Sequence, residues 1–419
     1  MGINFNLTGL NLSGFKGGEM IISELRKIHY FKTGKLKSLC LGEGIPFKNE
    51  RIDDELLENL ESLRVGCRYE FSECIQQVLL PNLNNQLTSL DLSNNYGLDT
   101  IFTSNIVKNL KVLKINDCGI VSLDLENPLP NLTELHLNNN IRLNYINIGD
   151  KLSNLKVLNL HRAGEYVLFN DLSLQNAKLD QLTELDIGCS KCNDSIFIKI
   201  LENLPKLKKL VLFGTPSSDM VCQFISENNE LFKNLQSLNL GRTFCSFNSI
   251  NFLAKSSLKL CRLILDNIKL NEESCKVLSE NEKVFGNLTD LSLSYCELTA
   301  ECLKYLTNSP TLSKLQELQL KSNPIGSEGC TYLATSKFIT RLTYLNLCNT
   351  QLEEDNCSTL ANSTNFTRIT ELDISGNDNV FDFEIIQKSQ NFPNLQLLEY
   401  KHNFFEDQSM SRKHQVNNK

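Results

Sequence analysis

The side chains of this chain that are best suited to chemistry are thiols and imidazoles. Its 419 residues include fifteen cysteines and five histidines. Cys189 and Cys192 are separated by two residues, which is the spacing of redox dithiols and of half a zinc site. No second cysteine pair stands nearby, and the sequence has neither a Walker-type glycine loop nor a Gly-x-Ser-x-Gly motif. We therefore interpret the pair as turn-filling thiols and predict no catalytic residue, no metal ligand and no cofactor.

Two of the histidines could converge on one polar patch if the elements that carry them lie side by side. His136 and His161 would then stand near Asn159 and Arg162. Side chains on neighbouring strands meet across about 5 to 10 Å. Such groups are more often solvated or in contact with a partner than catalytic, so we predict a protein that is not an enzyme.

The elements that must position these residues are copies of one repeat, Leu-x-x-Leu-x-Leu. Its first apolar position falls at residues 7, 36, 60, 87, 110, 132, 155, 182, 207, 235, 260, 288, 315, 342, 369 and 395. A unit of this length cannot bury its own apolar side and must stack on its neighbours, so the repeat predicts a solenoid. The alternation of Leu135, His136 and Leu137 predicts that each copy supplies one short strand.

The best copies carry an asparagine three residues after the last strand leucine, and this position links the repeat to a known family. The asparagines are Asn95, Asn140, Asn323, Asn377 and Asn403. Over nearly the whole chain the pattern resembles the leucine-rich repeat family. The resemblance implies an α/β solenoid, a horseshoe with about sixteen parallel strands on the concave face and helices or short turns on the convex face. It also implies that each asparagine bonds the backbone turn and holds adjacent coils in line.

Repeat length divides the chain into regions. Copies between residues 87 and 155 span 22 or 23 residues, which predicts an extended or tightly turned return, whereas later copies span 25 to 28 residues and resemble the ribonuclease-inhibitor type with convex helices. Asn271 and Thr299 are predicted to start two of these helices. We expect a cap with the first repeat strand over residues 1–35, shorter repeats over 36–181, longer repeats over 182–403 and a polar, frayed tail over 404–419. One continuous horseshoe with a flatter front section would result.

Composition limits the partners and the compartment. The net charge of −7 and the lack of a basic stripe argue against nucleic acid, and no continuous apolar segment is long enough to span a bilayer. The N-terminus lacks the pattern of a secretory signal, and we expect a cytoplasmic monomer. Five cysteines recur at corresponding places in successive helices, where we predict reduced thiols that pack in the core: Cys222, Cys275, Cys302, Cys330 and Cys357.

The residues between the strand leucines should form a spatial row on the concave face. The row is varied and mostly polar, which suits recognition of another protein through many modest contacts around a few anchors. Phe213, Arg242, Tyr295 and Tyr344 are predicted to be exposed anchors on or just after their strands. The full set of candidate protein-binding residues is Arg64, Lys114, His136, His161, Arg162, Phe213, Arg242, Tyr295 and Tyr344.

These observations favour a non-enzymatic scaffold whose partner is another protein. Two settings fit, an adaptor in a eukaryotic cytosol and an effector that an intracellular bacterium delivers into the host cytoplasm, since the polar C-terminal tail resembles type IV secretion signals. The alternative is an enzyme regulator. The longer repeats resemble the activator of the GTPase Ran, although the acidic tail of that family is missing, and ribonuclease inhibition is a further possibility.

Overall fold

Every copy of the leucine repeat forms a short strand that begins two residues after the first apolar position of the copy. In the computed structural model, residues 8–12, 36–41, 59–66, 86–98, 100–102, 108–125, 127–164, 178–377, 383–400 and 414–415 are described. The chain divides into two compact units, unit 1 over Met1–Leu207 and unit 2 over Lys208–Lys419. Each unit contains eight of the sixteen predicted strands.

The eight repeat strands of unit 1 pair in parallel, each with the strand of the next repeat. They are β1 (Gly9–Leu12), β2 (Ser38–Leu41), β3 (Ser62–Val65), β4 (Ser89–Asp91), β6 (Val112–Lys114), β8 (Glu134–His136), β10 (Val157–Asn159) and β11 (Glu184–Asp186). The short repeats return through a second parallel sheet, made of β5 (Thr100–Phe102), β7 (Ser122–Asp124) and β9 (Tyr145–Asn147). The extended return that repeat length predicts is therefore present. Unit 1 ends with helix α1 (Asp194–Leu201).

The eight repeat strands of unit 2 also pair in parallel and in register. They are β12 (Lys209–Val211), β13 (Ser237–Asn239), β14 (Arg262–Ile264), β15 (Asp290–Ser292), β16 (Glu317–Gln319), β17 (Tyr344–Asn346), β18 (Glu371–Asp373) and β19 (Leu397–Glu399). Two residues of the polar tail, β20 (His414–Gln415), pair antiparallel with β19. At these two residues the expectation of a frayed tail is wrong, because pairing covers an edge strand that would otherwise present unpaired backbone groups.

Helices form the return path of unit 2, as the longer repeats predict. They are α2 (Asp219–Glu227), α3 (Asn248–Ala254), α4 (Glu272–Glu280), α5 (Glu282–Phe285), α6 (Ala300–Thr307), α7 (Gly326–Thr335), α8 (Asp355–Ala361) and α9 (Phe383–Lys388), with 3-10 turns at Pro310–Leu312 and Thr364–Phe366. Asn271 caps α4 through a reciprocal capping box with Ser274. Thr299 precedes α6 as predicted, but its side chain makes no capping hydrogen bond.

The core of each unit lies between the repeat strands and their return elements. Except at β1 and β19, the central leucine of each repeat strand and the apolar residue two positions later are buried, as Leu135 and Leu137 are, while His136 between them is half-buried. All five helix cysteines predicted in the core are buried. The thirteen cysteines among the described residues are thiols rather than disulfides. In the described part of the chain, no helix is both long enough and apolar enough to cross a bilayer.

The repeat asparagines connect consecutive coils through their side-chain amides. Asn323 Nδ2 donates to the carbonyls of Leu293 and Leu320, both at 2.8 Å, and its Oδ1 accepts from the backbone N–H of Cys296 and Leu298, both at 3.0 Å. Asn140 makes the same four kinds of bond in unit 1. The role that the family resemblance implies is thus confirmed at these positions. Asn403 lies outside the described residues.

Candidate protein-binding surface

Two rows of side chains on each sheet point away from the leucine core. Within each unit the register aligns the residue before and the residue after every central leucine, so that Arg64 lies beside Asp91, and Gln319 beside Asn346. The predicted spatial row is therefore present within each unit. Beyond β4, β6, β8 and each of the strands β10 to β18, the third residue after the strand has a positive φ, and this turn marks the carboxyl edge of the sheet.

Two of the candidates in unit 1, Arg64 and His136, lie beside acidic side chains. The Nε of Arg64 lies 3.4 Å from a carboxylate oxygen of Asp91, and His136 Nε2 lies 3.2 Å from Glu134 Oε2. Lys114 is half-buried on the strand between them. Because the Arg64 guanidinium already has a carboxylate partner at the surface, it contributes little net attraction to an incoming protein.

The polar patch predicted around His161 is partly present. The backbone N–H of His161 donates to Asn159 Oδ1 at 3.1 Å, and Asn159 is the register neighbour of His136. Arg162 is exposed and occupies the positive-φ turn position with φ 56°. Two further side chains, which the repeat pattern does not predict at this patch, approach the ring of His161. Asp186 Oδ1 lies 3.3 Å from Nδ1, and Cys189 Sγ lies 3.9 Å from Nε2.

In unit 2, Phe213 and Arg242 form one stacked group at the carboxyl edge. The guanidinium carbon of Arg242 lies 5.5 Å from the centre of the Phe213 ring, which is a cation–π contact. Gly241 allows this approach, because a Cβ there would stand 3.2 Å from Phe213 Cδ2 and 3.3 Å from Asn239 Oδ1. Arg242 is exposed, but Phe213 is half-buried, so the prediction that Phe213 is an exposed anchor is wrong.

The two tyrosine candidates differ in exposure. Tyr295 is 45% exposed at a positive-φ turn position, and Lys321 Nζ lies 6.0 Å from the centre of its ring. Tyr344 is half-buried on β17 rather than exposed, and its hydroxyl oxygen accepts a hydrogen bond from Asn346 Nδ2 at 3.1 Å. Burial raises the pKa of the Tyr344 hydroxyl. Tyr344 is therefore less accessible to a partner than Tyr295.

Three exposed apolar side chains that the repeat pattern does not predict lie in the same two repeats as Phe213 and Arg242. Phe244 is 76% exposed, Met220 58% and Phe247 37%. Ser246 Oγ donates to Asp219 Oδ2 at 2.5 Å, and this bond joins the turn that carries the two phenylalanines to the first turn of α2. We name the whole set of six residues the aromatic edge: Phe213, Met220, Arg242, Phe244, Phe247 and Tyr295.

The sheet face of unit 2 carries several acidic side chains. They are Asp290 on β15, Glu317 on β16, Glu371 and Asp373 on β18, and Glu399 on β19. One carboxylate oxygen of Asp290 lies 3.3 Å from an Arg262 guanidinium nitrogen. Burial, followed by the neighbouring Asp290 carboxylate, raises the pKa of Glu317. This face therefore favours a positively charged ligand over a negatively charged one. Among the described residues, no three His, Cys, Asp or Glu side chains are placed to hold a metal ion together.

Comparison with known proteins identifies the fold. No family model and no curated protein matches the sequence. A solved leucine-rich-repeat protein from Leptospira interrogans is 21% identical, with a TM-score of 0.50 over 92% of this chain and 95% of that one. An internalin from Listeria monocytogenes is 20% identical, with a TM-score of 0.47 over 79% of this chain and 85% of that one. With its strand register and asparagine bonds, the chain has the α/β solenoid fold of leucine-rich-repeat proteins.

Proposed function

We propose that this chain is a protein-binding scaffold whose principal contact is the aromatic edge of unit 2. The observation that carries the proposal is the exposure of Phe244, which is 76% exposed in the turn between β13 and α3. A monomeric protein rarely leaves large apolar side chains grouped at its surface without a binding role. Aromatic and arginine side chains supply most of the binding energy in known interfaces.

The arrangement of the aromatic edge supports this role, because several of its members are held in place before a partner arrives. Arg242 rests against Phe213, and its backbone N–H donates to the carbonyl of Asp266 at 2.7 Å. Phe244 donates its backbone N–H to Ser217 at 2.8 Å, which fixes the turn below the ring. A preorganised anchor loses less conformational entropy on binding than a mobile one.

The acidic side chains of the same sheet indicate the chemistry of the partner. The acidic side chains of the unit 2 sheet, which include Glu371, Asp373 and Glu399, would attract basic groups. The partner that fits is a protein that inserts an apolar side chain at the aromatic edge and places lysine or arginine over the sheet. An adaptor role and an effector role both remain within this proposal, since both require only such a contact.

Affinity capture with matched surface variants tests the proposal. The immobilised full-length chain, a Phe244→Ser/Tyr295→Ala variant and a Tyr145→Ala control are exposed to eukaryotic and to bacterial lysate, and captured proteins are identified by mass spectrometry. Tyr145 is a suitable control because it is 40% exposed on β9 in unit 1. Loss of one anchor typically reduces the free energy of binding by about 2 kcal/mol. The double variant should therefore bind a purified partner more than about 30-fold more weakly than the parent chain does.

The outcomes separate the alternatives. Capture by the parent chain and the Tyr145 control, but not by the folded double variant, supports the aromatic edge. A partner found only in eukaryotic lysate would favour a role in a eukaryotic cytosol, either as an adaptor or as a delivered effector, over a role inside a bacterium. Equal capture by all three proteins would move the contact away from the aromatic edge and contradict the proposal.

A further inference from the structure

A thiol, an imidazole and a carboxylate lie in a chain of contacts at the carboxyl edge of the unit 1 sheet. Cys189 Sγ stands 3.9 Å from His161 Nε2, and His161 Nδ1 stands 3.3 Å from Asp186 Oδ1. The two ring nitrogens therefore face different partners. With the proton of neutral His161 on Nδ1, toward the carboxylate, Nε2 is the acceptor that faces the thiol.

We propose that Cys189, His161 and Asp186 form a nucleophilic thiol site that accepts an acyl group from an ester or thioester. A nucleophile beside a base, which is in turn oriented by a third group, is the arrangement by which proteins activate weak nucleophiles. His161 Nε2 acts as the general base, and Asp186 is a positioning residue that holds the ring and offsets the charge of the imidazolium.

The repeat backbone holds the three residues in this geometry. The backbone N–H of Leu160 donates to Asp186 O, and that of Arg162 donates to Gly188 O, both at 2.7 Å. These two bonds flank His161 and fix it against the segment that carries Asp186 and Cys189. Asp186 Oδ1 also accepts from the backbone N–H of Gly188 at 2.9 Å, so the carboxylate itself is held in place. A site anchored on regular backbone keeps the precision that catalysis requires.

The group is open to a ligand, and only one of its two nearby thiols suits the nucleophilic role. The side chains of His161 and Asp186 are 31% and 23% exposed, and Cys189 is half-buried. Cys189 stands at φ 58°, a conformation that is strained for a residue other than glycine or asparagine. Cys192 is buried, and burial raises its pKa to about 12, so this second thiol remains protonated in the core.

Two unsatisfied polar atoms stand in the segments that flank the group. Among the described residues, only Asn138 Oδ1 and Ser190 Oγ are buried side-chain atoms without a hydrogen-bond partner. Ser190 follows Cys189 in the chain, and Asn138 lies on the turn next to that of His161, where Asn139 N–H donates to His161 O at 2.8 Å. Buried polar atoms without partners are uncommon and often mark functional sites.

The reaction balances without a cofactor. The thiol proton moves to His161 Nε2, and the sulfur attacks the acyl carbonyl carbon to form a carbon–sulfur bond. The bond from that carbon to the leaving oxygen or sulfur breaks, and the leaving group takes the proton from the imidazolium. Water then attacks the Cys189 thioester, gives its proton to His161 and releases the carboxylic acid, which restores the thiol.

The experiment uses the full chain and p-nitrophenyl acetate as the acyl probe. We expect a stoichiometric burst of p-nitrophenolate and an acetyl adduct on the Cys189 peptide, found by mass spectrometry. Cys189→Ser should abolish the adduct, and His161→Gln should slow its formation about 100-fold or more. Cys261→Ser is the matched control, because Cys261 is also half-buried but its Sγ faces the Lys259 carbonyl at 3.9 Å. The control should leave the burst unchanged.

Alkylation by iodoacetamide provides a second measurement that does not depend on the acyl probe. The rate at Cys189 should exceed that at Cys261, and Asp186→Asn should change the pH–rate profile at Cys189 while circular dichroism shows an intact fold. Equal modification of Cys189 and Cys261, or an unchanged rate in His161→Gln, would overturn the proposal. Neither result bears on the aromatic edge, because partner capture is measured separately and the Cys189→Ser variant keeps that surface.

Discussion

Unit 1 and unit 2 build the same strand but close their repeats differently. In the short repeats of unit 1 the chain returns through β5, β7 and β9, whereas in unit 2 it returns through helices. Among the described residues, β7 and β9 bury the aliphatic side chains of Leu123 and Ile146, whereas helical returns bury phenylalanines, Phe197 on α1 of unit 1 and Phe285 on α5 of unit 2. The extra residues of a longer repeat thus provide room for larger core side chains without changing the strand.

The two units also differ in the chemistry of their turns. At the residues after the strands, unit 1 carries His161 and Cys189, whereas unit 2 carries Arg242, Phe244 and Tyr295. The residue types within the strands are constrained, because alternate side chains form the core and the side chains between them must pack against those of the paired strands. The turn positions are less constrained, and it is there that both of our proposals lie. In this chain, both candidate sites therefore lie at the carboxyl edge of the strands.

The largest expected effect concerns the difference in core filling. Phe285→Ala in unit 2 should lower the free energy of unfolding by about 3–5 kcal/mol, because the ring is fully buried and its loss leaves a large cavity. Ile146→Ala in unit 1 removes a smaller buried side chain, and its loss should be smaller within the range of about 2–5 kcal/mol. Urea titrations of both variants measure the effect. A larger loss for Ile146→Ala would contradict the view that helical returns hold the bulkier core.

Much of this fold follows from the spacing of a few residue types. The spacing of the leucines predicts all sixteen strands. Because each repeat must stack on its neighbours, only one pairing of the strands buries the leucines of every repeat. The capped start of α4 was predictable from Asn271 for a local reason, since the cap and the amides that it bonds lie within one turn.

The candidate sites were harder to predict, because they depend on contacts between repeats. His161 and Cys189 meet across 28 sequence positions, and their approach depends on the direction of both side chains. The half-burial of Phe213 and Tyr344 depends likewise on neighbours such as Arg242 and Asn346. Phe244 was missed because it falls outside the leucine pattern. Phe244 and Phe247 stand where the next copy has Lys269 and Glu272, and this difference was the available signal.

The next prediction concerns a feature that the two units share. Asn140→Ala in unit 1 and Asn323→Ala in unit 2 each remove the side-chain hydrogen bonds to two backbone carbonyls. Each also leaves buried backbone N–H groups without an acceptor. We expect both variants to lose about 2–3 kcal/mol of stability, since each orphaned buried group costs about 1–3 kcal/mol. Chemical denaturation checks the values. Unequal losses would show that the return element, and not only the turn, sets the strength of this connection.

A matched control for these variants is Thr350→Val. Thr350 occupies the position of the repeat asparagine in its own copy but has a hydroxyl group in place of the amide. Thr350 Oγ1 donates one hydrogen bond, at 2.7 Å, to the carbonyl of Leu347. Its loss should lower stability by only about 1 kcal/mol, because one net hydrogen bond is removed and the side-chain shape is kept. A loss as large as that of Asn323→Ala would contradict the special role of the asparagine.

The smallest expected effect tests the electrostatic difference between the sheet faces. In unit 2, burial and the Asp290 carboxylate raise the pKa of Glu317 above its ordinary value of 4.5. Between pH 4.5 and the raised pKa, the folded chain binds more protons at Glu317 than the unfolded chain does. The free energy of unfolding therefore falls as the pH rises through this range. Glu317→Gln removes the charge. The variant should therefore be more stable than the parent chain at pH 7, with the difference vanishing near pH 4.

Glu134→Gln is the matched control, because Glu134 holds the same strand position in unit 1 but lies beside His136 instead of a carboxylate. This control should show no gain in stability at pH 7. Thermal unfolding of the parent and both variants between pH 4 and pH 8 measures the difference. An equal gain in both variants would mean that the effect arises from net charge, since each substitution removes one charge from an acidic chain. A gain confined to Glu317→Gln would locate it at the Asp290–Glu317 pair, where the partial neutralisation by Arg262 is incomplete. A basic partner over this sheet would then relieve the repulsion between these carboxylates on binding.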